Sequence, residues 1–250
     1  MIQKLLLLSL LVFTLNAASD TKQKVTIGAG PFIQTQAYKG ADNIFIPSPV
    51  IFFDNSLFYI RWSRAGVYFL GDKSEKFSWG VSLTAQPRTY GYEASDSTYL
   101  QGMDKRDNTL EGGLAFSAQY DDAYIEVMAL TDIFHRNYSF IFKTEIGDKY
   151  TLGKLIFYPS IIISYQSADF INYYYGVKNS ESTAWRAEYK ADAGIQLGAQ
   201  TYIKYPFNDN WAVLLNARVD KIPTEASNSP IVDKDYIYSG LLSLIYTFEY

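Results

Sequence analysis

From Phe77 to Arg88 apolar and polar positions alternate without a slip: Phe77, Trp79, Val81, Leu83, Ala85 and Pro87 oppose Ser78, Gly80, Ser82, Thr84, Gln86 and Arg88. A period of two is the mark of a β-strand. The pattern returns from Ala191 to Tyr205, where Ala191, Ala193, Ile195, Leu197, Ala199, Ile203 and Tyr205 oppose Asp192, Gly194, Gln196, Gly198, Gln200 and Lys204. It returns again at the C-terminus, with Leu242, Leu244, Tyr246, Phe248 and Tyr250 against Ser243, Thr247 and Glu249, and with Ile245 as the one break in the polar face. Such runs exceed the roughly 5–6 residues usual for a soluble strand.

The chemistry of the polar face separates two architectures. A sandwich turns it to bulk water and fills it with Lys and Glu, whereas a membrane barrel turns it into a confined lumen and favours Gly, Ser, Thr, Gln and a few paired charges. Gly, Ser and Gln dominate here. Aromatic residues collect toward strand ends, as at Phe77 and Trp79, Tyr138 and Phe140, and Tyr246 and Phe248, where interfacial girdles lie. The fold class read from the sequence is therefore all-β, a closed antiparallel transmembrane β-barrel. Reading backward, strands are predicted at 237–250, 211–221, 189–205, 151–165, 137–147, 123–131, 109–120, 77–88, 65–71, 56–63, 46–53 and 25–36. That makes twelve, with ten as the alternative because 46–71 holds three barely spanning segments. Long outer loops at 89–108, 166–188 and 222–236 then alternate with short periplasmic turns such as Asp121-Asp122 and Gly147-Asp148-Lys149.

Composition removes competing classes. The chain has 250 residues, 22 Lys+Arg against 26 Asp+Glu, and no cysteine. A basic nucleic-acid binder and a disulfide-stapled domain do not fit those counts. The first residues are an address: Met1 to Lys4 is positive, Leu5 to Leu15 is apolar, and small residues follow at Ala17, Ala18 and Ser19. Residues 1–19 are predicted to be a signal peptide, with cleavage after Ser19 or after Ala17, and 20–250 the barrel. Export to the cell outer membrane follows.

Several segments carry a family resemblance: Gly28-Ala29-Gly30-Pro31, Tyr38-Lys39-Gly40-Ala41-Asp42 and Pro47-Ser48-Pro49 near the start, Tyr174-Tyr175-Gly176-Val177 with Glu181-Ser182 later, and Asn228-Ser229-Pro230-Ile231-Val232 near the end. In order and spacing the chain resembles the MipA/OmpV family of outer-membrane proteins over nearly its whole mature length. The resemblance implies an outer-membrane barrel, and for its best-described member a scaffold that links a lytic transglycosylase to a murein synthase. It brings no catalytic residues, so Tyr38, Gly40, Asp42, Tyr175, Gly176, Ser229 and Pro230 read as loop-shaping positions, and Gly28 and Gly30 as lumen-facing strand glycines.

Candidate chemistry is sparse. His135, the single histidine, lies four residues before Ser139 beside Asp132, but no further signal marks a nucleophile, and a surface histidine is the reading adopted. Asp104 with Asp107 and Asp233 with Asp235 lack the glycine turn and bidentate glutamate of a Ca²⁺ loop and read as solvated charges. No metal, cofactor or catalytic site is assigned. By strand phase Arg61, Arg88, Glu111, Glu126, Lys143, Glu145, Lys204 and Arg218 point inward as a charge network of both signs. Its structural meaning is a plug of ion pairs and its functional alternative a narrow pore for small solutes; twelve strands leave the state of the lumen open. Tyr90, Tyr92, Tyr99, Tyr173, Tyr174 and Tyr175 of the long loops suit a cap over the mouth or a contact surface. The function expected is a non-enzymatic scaffold or structural protein of the envelope. Its partners are outer-membrane lipid and, through the resemblance, murein hydrolase or synthase proteins. Oligomeric state leaves no mark in the sequence.

Overall fold

A computed structural model describes residues 23–88 and 91–249, so the signal peptide, Tyr90 and Tyr250 lie outside the described residues. Thirteen strands follow one another: β1 Lys24–Gln34, β2 Ile44–Asp54, β3 Phe58–Arg61, β4 Arg64–Lys73, β5 Phe77–Arg88, β6 Thr109–Tyr120, β7 Ala123–Asp132, β8 Phe140–Gly147, β9 Tyr150–Leu152, β10 Leu155–Gln166, β11 Gly194–Pro206, β12 Trp211–Lys221 and β13 Tyr236–Glu249. Each pairs antiparallel with its neighbours, β13 closes on β1, and β10 on β11 completes the ring. β8 and β9 both pair with β10, along Ser160–Gln166 and Leu155–Phe157, so they are two pieces of one stave and the barrel has twelve. Closure leaves no sheet edge in the hydrocarbon except where strands are short, and a bilayer demands that.

The two faces of each strand are inverted relative to a soluble protein. Leu83, Leu114, Ile161, Ile195, Leu197 and Leu242 are exposed on the outside, while Ser82, Thr84, Ser164, Gln196, Asn216 and Ser243 are buried on the inside. Lipid receives the apolar set and the lumen the polar one. Ile245, the break in the polar face, faces inward with Val50, Ala212, Leu214 and Leu241, packed by Phe32, Phe52, Trp62 and Tyr202.

Short turns gather at one end. Asn55 Oδ1 accepts the N–H groups of Leu57 and Phe58, and Asn208 Oδ1 those of Asn210 and Trp211, so each Asn side chain replaces a ladder partner at a strand reversal. The long connections gather at the other end and pack together. Loop 35–43, loop 91–108, helix α1 (Ala168–Tyr175) with its continuation to 193, and the turn α2 (Thr224–Ser227) share a hydrophobic core that includes Tyr38, Tyr92, Leu100, Met103, Phe170, Ile171, Tyr174, Tyr175, Ile222 and Ile231. These loops fold as a cap.

Several predicted boundaries move. The strand expected at 137–147 starts at Phe140, and the one expected at 151–165 starts at Leu155, because the chain reverses at Gly153-Lys154 and not at the expected turn Gly147-Asp148-Lys149, leaving Tyr150–Leu152 as the short β9. The strand expected at 189–205 starts at Gly194, because Tyr189 pairs with Val177 and the Ala191 N–H bonds Asn172 Oδ1, which commits both residues to the cap. The strand expected at 56–63 is four residues long, since Asn55 to Leu57 make the turn and Trp62 and Ser63 the next hairpin.

Candidate functional site

Four polar constellations line the barrel wall. Glu126 accepts from Arg61 Nη1 at 2.9 Å and from both terminal nitrogens of Arg64, while Arg61 Nη2 also reaches Asp54 at 3.1 Å and Tyr68 Oη at 2.7 Å. Glu145 accepts from Tyr124 at 3.1 Å, Ser160 at 2.9 Å and Gln200 at 2.8 Å, with Lys143 Nζ at 4.0 Å. Asp220 takes a two-pronged contact from Arg218 at 2.6 and 2.7 Å and a bond from Gln196 at 2.8 Å, and Gln196 in turn accepts from Gln166 at 2.8 Å. Glu111 accepts from Arg88 Nε and from Gln86 Nε2, and the Arg88 guanidinium lies 4.6 Å above the Phe170 ring. Lys204 lines the same cavity nearer the short-turn end. Confined charges of opposite sign satisfy one another here, which is what makes them tolerable in a low-dielectric interior.

Sequence phase missed three members. Asp220 lies two residues from Arg218 and so on the same face of β12, a signal that was available. Arg64 and Asp54 flank β3, where the phase is broken by turns. A continuous cavity of about 1880 Å³ runs past these groups, from Asp72, Lys73 and Ser74 at the short-turn rim up to Arg88, Gln166 and Asp220.

Above the cavity the segments that carried the resemblance converge. Tyr38 Oη donates to the Tyr174 carbonyl at 3.2 Å, Lys39 Nζ to the Pro230 carbonyl at 2.9 Å, and Ser229 Oγ to the Tyr175 carbonyl at 2.5 Å; Tyr38 also bridges to Val232. Gly40 has a φ of 65°, and a β-carbon there would meet Ser97 Oγ and the Tyr99 ring, so the position needs glycine. Gly176 ends α1, its N–H bonded to the Asn172 carbonyl. Asp42 is exposed, and its carbonyl accepts from Gln36. Gly28 and Gly30 sit on the inner face of β1, where a β-carbon would strike the backbone of β13.

The cap has its own buried ionic frame, which the sequence reading passed over. Arg106 forms a doubly bonded pair with Glu181 at 2.8 and 3.0 Å, and Arg186, fully buried, donates to the carbonyls of Tyr99, Gln101 and Glu181. Burial pushes the phenols of Tyr38, Tyr92 and Tyr174 well up from their ordinary value.

The weaker candidates find other partners. His135 stacks on exposed Tyr138 at 5.5 Å, while Ser139 is buried and its carbonyl accepts from Thr131 Oγ1. Asp104 pairs with Lys178 at 2.7 Å, and Asp107 with Arg136 at 2.7 Å. Asp233 bonds the Ala37 carbonyl through its N–H, and the Asp235 carbonyl accepts from Ile222. Among the described residues no cluster of His, Asp and Glu is arranged to hold a metal ion.

The family model described as MltA-interacting protein MipA matches residues 27–248. The chain belongs to that family. It is 26% identical over 233 residues to the putative outer membrane protein YiaT of Escherichia coli K12, covering 92% of this chain and 94% of that protein. It is 27% identical over 250 residues to the MltA-interacting protein of the same strain, with 99% and 98% covered, and 31% identical over 165 residues to outer membrane protein Omp26La of Vibrio anguillarum, with 66% and 63% covered. With the lipid-facing apolar belt, family membership places this MipA-family chain in the outer membrane.

Proposed function

We propose that this protein is a non-enzymatic scaffold of the outer membrane that holds a murein-processing enzyme at its periplasmic rim. The observation that carries the reading is the cap: the long loops fold into one hydrophobic core over the outer mouth, so the cavity opens toward the short turns. An outer surface built to pass solutes has no use for a packed core of Tyr38, Phe170, Ile171 and Tyr174 beneath it. The lumen charges then serve stability, each of these carboxylates held by arginines of its own strand, of the adjacent strand or, for Glu126, of strands further round the wall. Docking falls to the short-turn rim, including the Asp122–Lys149 pair at 3.0 Å that ties the β6–β7 turn to the break between β8 and β9. One relative is called an MltA-interacting protein, which makes a lytic enzyme of that type the partner to try first. Residues 1–19 act as the export signal.

The reading is tested by capture of an MltA-type enzyme on the refolded barrel. The intact barrel is expected to retain it, and Asp122→Lys with Lys149→Glu, a swap at the rim, to change retention at least tenfold. Retention by the cap loops alone, or loss of retention on neutralising Arg88 at the far end of the lumen, would overturn it.

A further inference from the structure

The barrel wall has a window. β3 pairs with β2 along Phe52 to Asp54, and the Trp62 N–H adds one bond to the Ile51 carbonyl. Among the described residues no strand pairs with Ile44–Val50 on that side, and β5 pairs with β4 no higher than Ala85 opposite Ala65. The hairpin at Trp62-Ser63 therefore forms a sill, and β2 and β5 rise above it as jambs. Over the top, Ser97 Oγ of the β5–β6 loop donates to the Lys39 carbonyl of the β1–β2 loop at 2.5 Å, so the opening is roofed.

The jambs are chemically finished as edges. In a strand the N–H and C=O of one residue point to the same side, and the side alternates residue by residue. The Ile51 carbonyl takes the Trp62 N–H, so the odd residues of β2 address the window; the Phe77 carbonyl takes the Ser74 N–H of the β4–β5 turn, so the odd residues of β5 do likewise. The backbone positions facing the opening are thus 45, 47 and 49 on β2 and 87 on β5. Three of these four are prolines, Pro47, Pro49 and Pro87, in a chain with 8 prolines. Proline has no N–H, so it removes donors that lipid would leave unpaired, and it blocks the added strand that would seal the gap. The window lies within the lipid-facing belt: Phe45 beside it on β2 is 70% exposed and Leu83 on β5 is 60% exposed.

Behind the window the lumen is divided. The β2 side is apolar, with Val50, Phe32, Phe52 and Ile245 facing inward, and Trp62 is folded in against them, its ring 5.7 Å from Phe32 and its indole N–H on Ser48 Oγ at 3.0 Å. The β5 side is polar, with Gln86, Arg88 and Glu111. The cavity exceeds the roughly 300–1,000 Å³ typical of ligand sites. We propose that the window admits the alkyl chain of a single-chain or glycerol-based amphiphile from the surrounding leaflet, which lies along the β2 face while its polar head meets the β5 side.

The test uses Trp62 as reporter in a chain carrying Trp79→Phe, Trp185→Phe and Trp211→Phe, reconstituted in lipid nanodiscs. Dibromostearic acid is titrated in one arm, and dibrominated phosphatidylcholine replaces the bilayer lipid in the other. Saturable quenching by the acid identifies a free fatty acid as ligand, and quenching by the brominated bilayer alone identifies a resident lipid. In either arm Ile245→Lys is expected to weaken quenching at least tenfold while the barrel stays heat-modifiable. Trp62 unquenched in both arms, or quenching that Ile245→Lys leaves unchanged, would overturn the proposal. If Ile245→Lys fails to fold, native mass spectrometry of the unaltered chain released from the membrane decides: one bound amphiphile supports the window, and none removes it.

Discussion

Leu197 on β11 and Ser117 on β6 illustrate how much a single position depends on which medium it meets. Leu197 is half exposed on the outer face, so Leu197→Arg should cost about 2–4 kcal/mol of barrel stability, whereas Ser117→Arg, into the water-accessible lumen beside Glu126, should cost far less. Reversible unfolding in lipid measures both, and equal costs would invert the assigned faces. In the cap, Glu181→Gln leaves Arg106 buried without its mate, and a loss of about 3–5 kcal/mol of cap stability is expected, read as faster proteolysis in loop 91–108. The cap tyrosines set a pH limit. Their folded pKa values lie above the ordinary value near 10 because burial disfavours the phenolate, so the stability they confer is complete below about pH 10 and falls as pH rises through the raised values. Loop proteolysis should therefore accelerate above about pH 11, with phenolate absorbance rising in step and the strands intact. At this scale strand phase assigns a direction to charges on long strands such as Arg88, Lys143 and Arg218, which line the cavity. The cap residues Arg106, Glu181 and Arg186 were not legible, because their contacts cross from one loop to another and no period marks them.

Elements were most readable where the alternation is long and unbroken. β5, β6, β12 and β13 lie within a residue of their predicted bounds, because lipid outside and lumen inside impose period two on every residue. β11 begins late because the same alternation continues from Ala191 while tertiary contacts claim those residues for the cap. β3 is short because two turns consume its ends, and a turn residue such as Trp62, at a φ of 57°, carries no glycine to announce it. Closure depends on β13 pairing along β1 from Glu249 opposite Lys24 to Ser239 opposite Gln34. Removing the chain from Tyr246 onward should therefore abolish outer-membrane insertion. Heat-modifiable truncated protein in the membrane fraction would show that another strand can close the ring.

For the whole molecule, the barrel was legible and the state of its lumen was not. Composition of the inner face fits both a plug and a channel, since paired charges line either. In the structure, segments far apart in the chain meet over one end of the barrel, loop 35–43 touching 228–232 and 174–177, and the proposed scaffold role takes those contacts as the closure of the outer mouth. The scaffold proposed above is a barrel closed outward and open to the periplasm. Planar-bilayer conductance tests it most directly, on the intact refolded chain and on one in which 91–108 and 168–193 are replaced by short turns. The intact barrel should insert and carry no steady current, and the trimmed barrel, still heat-modifiable, should conduct with an ion preference that Lys143→Gln alters. A steady current through the intact barrel, equal to that of the trimmed one, would contradict the account.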